Sequence, residues 1–357
     1  MKWKVIHAAD LHLDAPFSGL ADGNMAAVRR EEIRMSFAKI ISLAERADAL
    51  IVSGDMFEGA AVSRTTLEFI RKQFARIQNT PVFICAGNHD PLLQSSVYCT
   101  FDFGENVHIF GTEPECIETD MADFYGVSFA SNNDDRVLLP AFSVQNPEKL
   151  NILVMHGNLA GEGYNPMTLA DIAASGMDYI ALGHIHKGSG LMKSGNTYYA
   201  YPGCHEGRGF DETGAKGVLA LELAKREVSA EFVPVQERMY IEETIDISGA
   251  DSYDDIMEKV QAAFCGEKHL YRFILTGETS FPLSTAVIEE KLGAFSVCVK
   301  DQTKPAQDLE KLQKEFSLKG LFVKHAMEEQ NKVSQELFEA ALKIGLNLIE
   351  KEERNEN

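Results

Sequence analysis

The chain has 357 residues, 45% of them hydrophobic and 25% charged, a balance ordinary for a folded protein and long enough for two or three folding units. No apolar run approaches the roughly 20 residues of a membrane span, which excludes an integral protein built on membrane helices. The formal charge of −20 excludes a generally basic surface, so a nucleic-acid enzyme of this composition must rely on bound metal charge, a local basic strip or a partner subunit.

Met1-Lys2-Trp3-Lys4 ahead of a short apolar stretch has the outline of a leader peptide. Asp10 and His12 interrupt it and no small-residue cleavage site follows, so residues 3–8 are expected to be a first strand. A helical pattern over 25–47 puts Val28, Ile33, Phe37, Ile40, Ile41 and Ala44 on one face, and another over 62–78 aligns Leu67, Ile70, Phe74 and Ile77. Between and after them, residues 49–53, 81–86, 151–155 and 178–182 are short apolar runs bounded by Gly, Asp or Asn, the signature of buried strands. Alternating strand and helix predicts an α/β domain with a largely parallel sheet. Strand runs at Thr197–Ala200, Gly217–Leu223 and Val228–Val235 are expected to complete a second sheet of the same domain, over 1–235. A small α/β unit follows over 236–303, with strands Ile241–Ile247, Leu270–Thr276 and Phe295–Lys300 and helices Tyr253–Phe264 and Ser284–Leu292. The segment 304–357, punctuated by Pro305, carries Leu309, Leu312, Phe316, Leu321, Ala326, Val333, Leu337, Ala341, Ile344 and Leu348 at roughly helical spacing, and its last six or so residues are expected to be disordered. Six cysteines spread widely with no CxxC pair point to reduced core thiols in the cytoplasm.

Five of the apolar runs end in metal-ligand residue types: Asp10-Leu11-His12, Gly54-Asp55, Gly87-Asn88-His89-Asp90, His156-Gly157 and Gly183-His184-Ile185-His186. Taken singly, each has an ordinary alternative, such as a helix cap for Asp55, a turn for Asn88 or a core histidine for His156. In open α/β sheets, however, functional residues gather beyond the carboxyl ends of strands, where these segments fall. Together they offer enough oxygen and nitrogen donors for two divalent cations. Asp55, a carboxylate just after a strand, is the natural bridging ligand, and imidazoles suit manganese, iron or zinc. Two metals roughly 3.5–4 Å apart neutralise charge and supply a nucleophile, so the segments point to phosphate-ester hydrolysis.

These ordered blocks, DxH, GD, GNHD, H and GHxH, resemble those of the calcineurin-like metallophosphoesterases. The resemblance implies a layered sandwich of two central sheets flanked by helices, with a small α/β cap domain and C-terminal helices. It also assigns Asp10, His12, Asp55 and His186 to one metal and Asp55, Asn88, His156 and His184 to the other. A hydroxide held between the metals would attack phosphorus in line, with His89 as the acid at the leaving oxygen and Asp90 orienting its imidazole. Within the superfamily the chain is most similar to the SbcD-type DNA repair exonucleases, in particular the YhaO-like branch, through Ala8-Ala9-Asp10-Leu11-His12-Leu13-Asp14, Tyr201-Pro202-Gly203 and Gly207–Gly214 followed by Lys216-Gly217. That narrower likeness implies a manganese-dependent nuclease acting on DNA ends, with magnesium, iron or zinc as other metals, a coiled-coil ABC-type ATPase as partner, a homodimer, and no membrane.

Two positions depart from the family pattern. Relatives place a His three residues after the bridging Asp, where this chain has Glu58, which cannot be a cationic phosphate contact. Cys204-His205 replaces commoner small polar residues. Arg208 and Lys216 read either as phosphate contacts or as surface and turn residues. Arg29, Arg30 and Arg34 read either as a basic strip or as partners of Glu31 and Glu32. Tyr98, Phe101 and Phe103 belong to the core or wall a substrate groove. The C-terminal helices dock on a partner or pack on this chain. Beside the nuclease, a phosphodiesterase or phosphatase of small nucleotides and a non-catalytic metal-binding scaffold remain alternatives.

Overall fold

The computed structural model describes residues 2–349 except 18, 19, 21, 22, 60, 160, 162, 307, 308, 335, 336, 339, 343 and 347; the disorder expected at the extreme C-terminus lies outside the described residues. The chain divides into two compact units, one of Met1–Glu242, Gly266–Arg272 and Ala294–Ser296, the other of Glu243–Cys265, Phe273–Gly293 and Val297–Asn357.

The first unit runs β1 (Trp3–Ala8), α1 (Gly23–Ala44), β2 (Ala49–Ser53), α2 (Arg64–Ala75), β3 (Val82–Cys85), α3 (Val97–Thr100), β4 (Val107–Ile109), β5 (Glu115–Glu118), β6 (Ala122–Val127), β7 (Leu150–His156), α4 (Leu169–Ala174), β8 (Tyr179–Gly183), β9 (Met192–Ser194), β10 (Thr197–Ala200), β11 (Gly217–Ala224) and β12 (Glu227–Pro234). Two six-stranded sheets result, in the orders β12-β11-β1-β2-β3-β4 and β5-β6-β7-β8-β10-β9. Strands β1 to β4 are parallel, as are β6, β7, β8 and β10, and the antiparallel strands lie at the margins.

The period-two alternation of strand side chains sorts the core into layers. Val5, Ile51, Phe83 and Leu219 of the first sheet pack with Phe124, Ile152, Ala181 and Ala200 of the second, so the two sheets stack face to face. The Phe83 and Phe124 rings are stacked at 3.8 Å between centroids. Ile6, Leu50, Val52 and Ile84, one residue out of phase, meet Ile33, Phe37, Ile40 and Ile41 of α1 and Leu67, Ile70 and Phe74 of α2. On the far side Leu153, Met155, Ile180 and Leu182 cover Ile172 of α4 and Leu138 to Phe142. The sandwich of two sheets flanked by helices is therefore as expected.

Four details differ from the sequence reading. The runs that form β11 and β12 join the first sheet, β11 antiparallel to β1 and β12 antiparallel to β11, and only β9 and β10 extend the second. The sequence reading lacks β4, β5 and β6: β4 and β5 are short and only partly buried, and β6, though buried throughout, has its apolar run broken by Asp123 and Gly126. Val28 of α1 is exposed, since it lies off the arc that faces the sheet. Of the cysteines, Cys85 and Cys204 are buried whereas Cys99, Cys265 and Cys298 are exposed.

In the second unit, residues 243–246, 273–276 and 297–301 are strand segments of a three-stranded sheet. Helix Tyr253–Ala262 buries Ile256, Met257 and Val260, helix Thr285–Leu292 buries Ile288 and Leu292, and helix Leu318–Glu329 follows Leu309–Leu312. No helix among the described residues is long and apolar enough to cross a membrane.

Candidate metal centre

The parallel strands all deliver their carboxyl ends to one edge of the sandwich. There the backbone leaves β geometry abruptly: Asp10 (φ 52°), His12 (φ 44°), Asp55 (φ 50°) and His184 (φ 107°) occupy the left-handed region. Side chains pay about 1–3 kcal/mol each for such conformations, which persist where the surroundings over-determine them. The loops after β1 and β2 lace together through Asp10 N to Gly54 O (3.1 Å) and His12 N to Asp55 O (2.9 Å). Two glycines admit close approach: a Cβ on Gly87 would strike the Asp55 carboxylate, and one on Gly183 the Ser53 carbonyl.

One set of donors comprises Asp10, His12, Asp55 and His186, with one ligand atom from each lying within 4.8 Å of the others. Nε2 of His12 and Nε2 of His186 face each other at 3.2 Å, and His186 Nε2 lies 3.9 Å from Asp10 Oδ1. The opposite ring nitrogens face carboxylates, His12 Nδ1 at 2.7 Å from Glu58 Oε2 and His186 Nδ1 at 2.6 Å from Glu212 Oε1. For His186 the hydrogen bond to Glu212 selects the tautomer that leaves Nε2 with a lone pair, and the Glu58 charge beside His12 Nδ1 favours the same tautomer there. A second set gathers around Asn88 Oδ1, which lies 3.0 Å from His156 Nε2 and 3.1 Å from His184 Nδ1. His156 Nδ1 donates to Ser53 O at 2.9 Å, again freeing Nε2. Asp55 Oδ2 stands 3.9 Å from His12 Nε2 and 3.5 Å from His156 Nε2, so this carboxylate serves both sets, while its Oδ1 accepts from His89 N at 2.9 Å.

The five ligand-bearing segments all fall inside residues 4–188, the stretch matched by the Calcineurin-like phosphoesterase family. The chain belongs to that family. It is 31% identical over 275 residues, 72% of this chain and 67% of the other, to the uncharacterized metallophosphoesterase YhaO of Bacillus subtilis. It is also similar to two DNA double-strand break repair proteins Mre11: that of Methanopyrus kandleri at 23% over 286 residues, 72% of this chain and 62% of the other, and that of Saccharolobus solfataricus at 24% over 243 residues, 62% and 61%. The matches thus span about three fifths to two thirds of these relatives' lengths.

Calcineurin-like phosphoesterases bind two divalent metals, and the donors here fit them. Two imidazole lone pairs directed at each other, beside two buried carboxylates, are mutually repulsive until a cation lies among them. Burial opposes ionisation of Asp55, but His156, His12 and His89 hold it well below the usual carboxylate range. Burial pushes Asp10 up, only partly offset by His156. For His184, burial and then the neighbouring His156 lower the pKa to about 4, which keeps the ring neutral and able to ligate.

Around the ligands, the calcineurin-like centre has supports that the sequence reading missed. Asn165, fully buried, donates from Nδ2 to His156 O at 2.9 Å, and Tyr201 Oη donates to Gly157 O at 2.9 Å. Glu212, noticed only as part of the Gly-rich block, is the partner of His186; a carboxylate near a ligand histidine is a usable signal, but the spacing of 26 residues did not single it out. Asp90 does not meet the His89 imidazole. Its Oδ1 accepts from Gly87 N (2.8 Å) and its Oδ2 from Phe57 N (3.0 Å) and Tyr98 Oη (2.6 Å), so it fixes the loop; Glu58 Oε1, 3.3 Å away, faces His89 Nδ1 instead. Burial and then the Asp55 charge raise Asp90 to about 6.

Arg208 reaches the centre, paired with both Glu58 and Glu212. Lys216 is buried and donates from Nζ to His186 O at 3.3 Å. Arg29 is buried against Glu32 and Glu206, and Arg34 pairs with Asp14 and Glu31, so these two guanidiniums of α1 are already engaged. Arg30 donates to Pro16 O. Tyr98 and Phe103 are in the core, with Phe101 packed against it. His205 is buried, its Nε2 meeting Ile33 O at 3.2 Å, and burial lowers its pKa to about 4.

Proposed function

We propose that this phosphoesterase is a two-metal phosphodiesterase that processes DNA ends. The observation that carries the hydrolytic part is the pair of donor sets sharing Asp55. Divalent cations held there would supply Lewis acidity toward the phosphoryl oxygens and would acidify the attacking water. Asp10, His12, Asp55 and His186 would hold one, and Asp55, Asn88, His156 and His184 the other. His89 is the proton source: its side chain is 39% exposed, and the Glu58 carboxylate accepting from Nδ1 raises its pKa, which leaves Nε2 to protonate the departing oxygen. What supports DNA as substrate is the naming of two relatives as DNA double-strand break repair proteins. Manganese is the metal we favour, from the imidazole and carboxylate donor set.

A coiled-coil ATPase partner belongs to the same proposal, supported by the exposed apolar side chains Phe316, Leu318 and Leu321. A homodimer through catalytic-domain helices and a cytoplasmic setting complete it. The second reading, a phosphodiesterase or phosphatase of small nucleotides, is favoured by the net charge of −20 and by the engagement of Arg29 and Arg34 with carboxylates.

The deciding experiment is manganese-dependent hydrolysis of end-labelled linear duplex DNA beside a small chromogenic phosphodiester, by the wild type and a His89→Asn variant. DNA degradation by the wild type alone supports the first reading. Cleavage of the small diester alone supports the second, and two tightly bound metals without turnover of either would make the chain a scaffold.

A further inference from the structure

One carboxylate at the centre is shared among three nitrogen bases. Glu58 Oε2 lies 2.7 Å from His12 Nδ1 and also pairs with Arg208 Nη1, while Oε1 lies 3.3 Å from His89 Nδ1. Glu212 binds the same guanidinium through Nη2 at 3.0 Å and accepts from the Arg208 backbone N at 2.7 Å. Arg208 is 19% exposed and Glu58 23%, so both stand at the solvent side of the buried ligands. A guanidinium offers planar donors suited to two phosphate oxygens. Here those donors already hold two carboxylates, and the local sum of Arg208, Glu58 and Glu212 is one negative charge. An incoming phosphate must either displace Glu58 or sit beside its charge.

We propose that Glu58 determines substrate class: it occupies an anion-binding donor of Arg208 and sets a negative charge beside His89, so that the site accepts the single charge of a phosphodiester and discriminates against the double charge of a phosphomonoester or orthophosphate. The inference rests on the phosphoester-hydrolase reading above and narrows it. A phosphomonoester carries about 1.5 to 2 negative charges at neutral pH. A unit charge a few ångströms away in a partly wet site changes binding by about tenfold for each extra charge on the ligand. Glu58 also faces His12 and His89, so an effect on metal content or overall turnover would not separate this role from positioning. The ratio between two substrates of different charge does separate them.

The test uses manganese-loaded wild type, Glu58→Gln and Arg208→Gln, with metal content measured for each. kcat/KM is determined for a chromogenic phosphodiester and the matching phosphomonoester, and orthophosphate binding is measured by calorimetry. Glu58→Gln should tighten orthophosphate and raise the monoester-to-diester ratio about tenfold, whereas Arg208→Gln, which leaves the Glu58 charge uncompensated, should move both the other way. An unchanged ratio or an unchanged phosphate affinity in Glu58→Gln with its metals retained overturns the proposal. If that variant loses metal, Arg208→Gln decides: no change in either quantity rejects the role. If the wild type hydrolyses neither ester, the function proposed above fails, while equal orthophosphate affinities in wild type and Glu58→Gln would independently reject the inference.

Discussion

Nε2 of His12 and Nε2 of His186 lie 3.2 Å apart, each on a ring whose Nδ1 faces a carboxylate, Glu58 for the one and Glu212 for the other. The carboxylates set the tautomers, and the tautomers aim two lone pairs at the same point. The centre is thereby arranged around a cation by residues that would not touch it.

Glu212 should therefore act through His186. Replacing it by Gln removes the charged partner of Nδ1, and partners of this kind typically contribute about 10–100-fold to metal affinity. We expect Glu212→Gln to weaken manganese binding in calorimetry by that factor. A change below twofold would show that His186 is oriented without it.

His89 is expected to matter for turnover and little for metal. General acids contribute about 10²–10⁴-fold, so His89→Asn should lower kcat by that range while atomic absorption still finds the wild-type metal content. Turnover within a factor of three of wild type would remove His89 from the acid role.

Tyr98 donates to the buried Asp90 at 2.6 Å. A hydrogen bond to a charged group is worth about 1.5–3 kcal/mol, and Tyr98→Phe should lower the unfolding free energy by that much in urea titrations. Its loss should also loosen the loop of Asn88 and His89, because the same carboxylate holds Gly87 N and Phe57 N.

His7 links the two sheets, its Nε2 meeting Ser53 Oγ at 3.0 Å and its Nδ1 meeting Tyr179 Oη at 2.9 Å. Because Ser53 Oγ donates to Ala181 O, the ring is neutral with its proton on Nε2. Burial lowers its pKa to about 3. The unfolded ring takes a proton near pH 6.5, so between about 6.5 and 3 the unfolded state binds one more proton than the folded state. Stability contributed by this group is then constant above about pH 7 and falls as pH is lowered, by up to about 1.4 kcal/mol per pH unit. In excess chelator, His7→Gln should show a shallower loss of unfolding free energy between pH 7 and 5 than wild type; parallel slopes would contradict the neutral assignment.

Local residue patterns defined the strand and helix elements at the core and placed ligand residue types at strand ends. Apolar alternation and helical spacing are local, and they predicted β1, β2, β3, β7 and β8 to within about two residues at each end. The same ends carried Asp10, Asp55, Asn88, His156 and His184, and parallel strands in a sheet bring their carboxyl ends to one edge whatever the loops do. Tertiary structure alone decided which runs share a sheet, because strand pairing is nonlocal: Val5 meets Leu221 through a register no local pattern encodes. It also decided the partners of the ligands. Glu212 reaches His186 across 26 residues and Arg208 reaches Glu58 across 150, contacts set by packing of separate loops over the sheet edge. For the same reason Asp90 turned out to hold the backbone and Glu58 the imidazole, since adjacency in sequence to His89 says nothing about which side chain its ring faces in space.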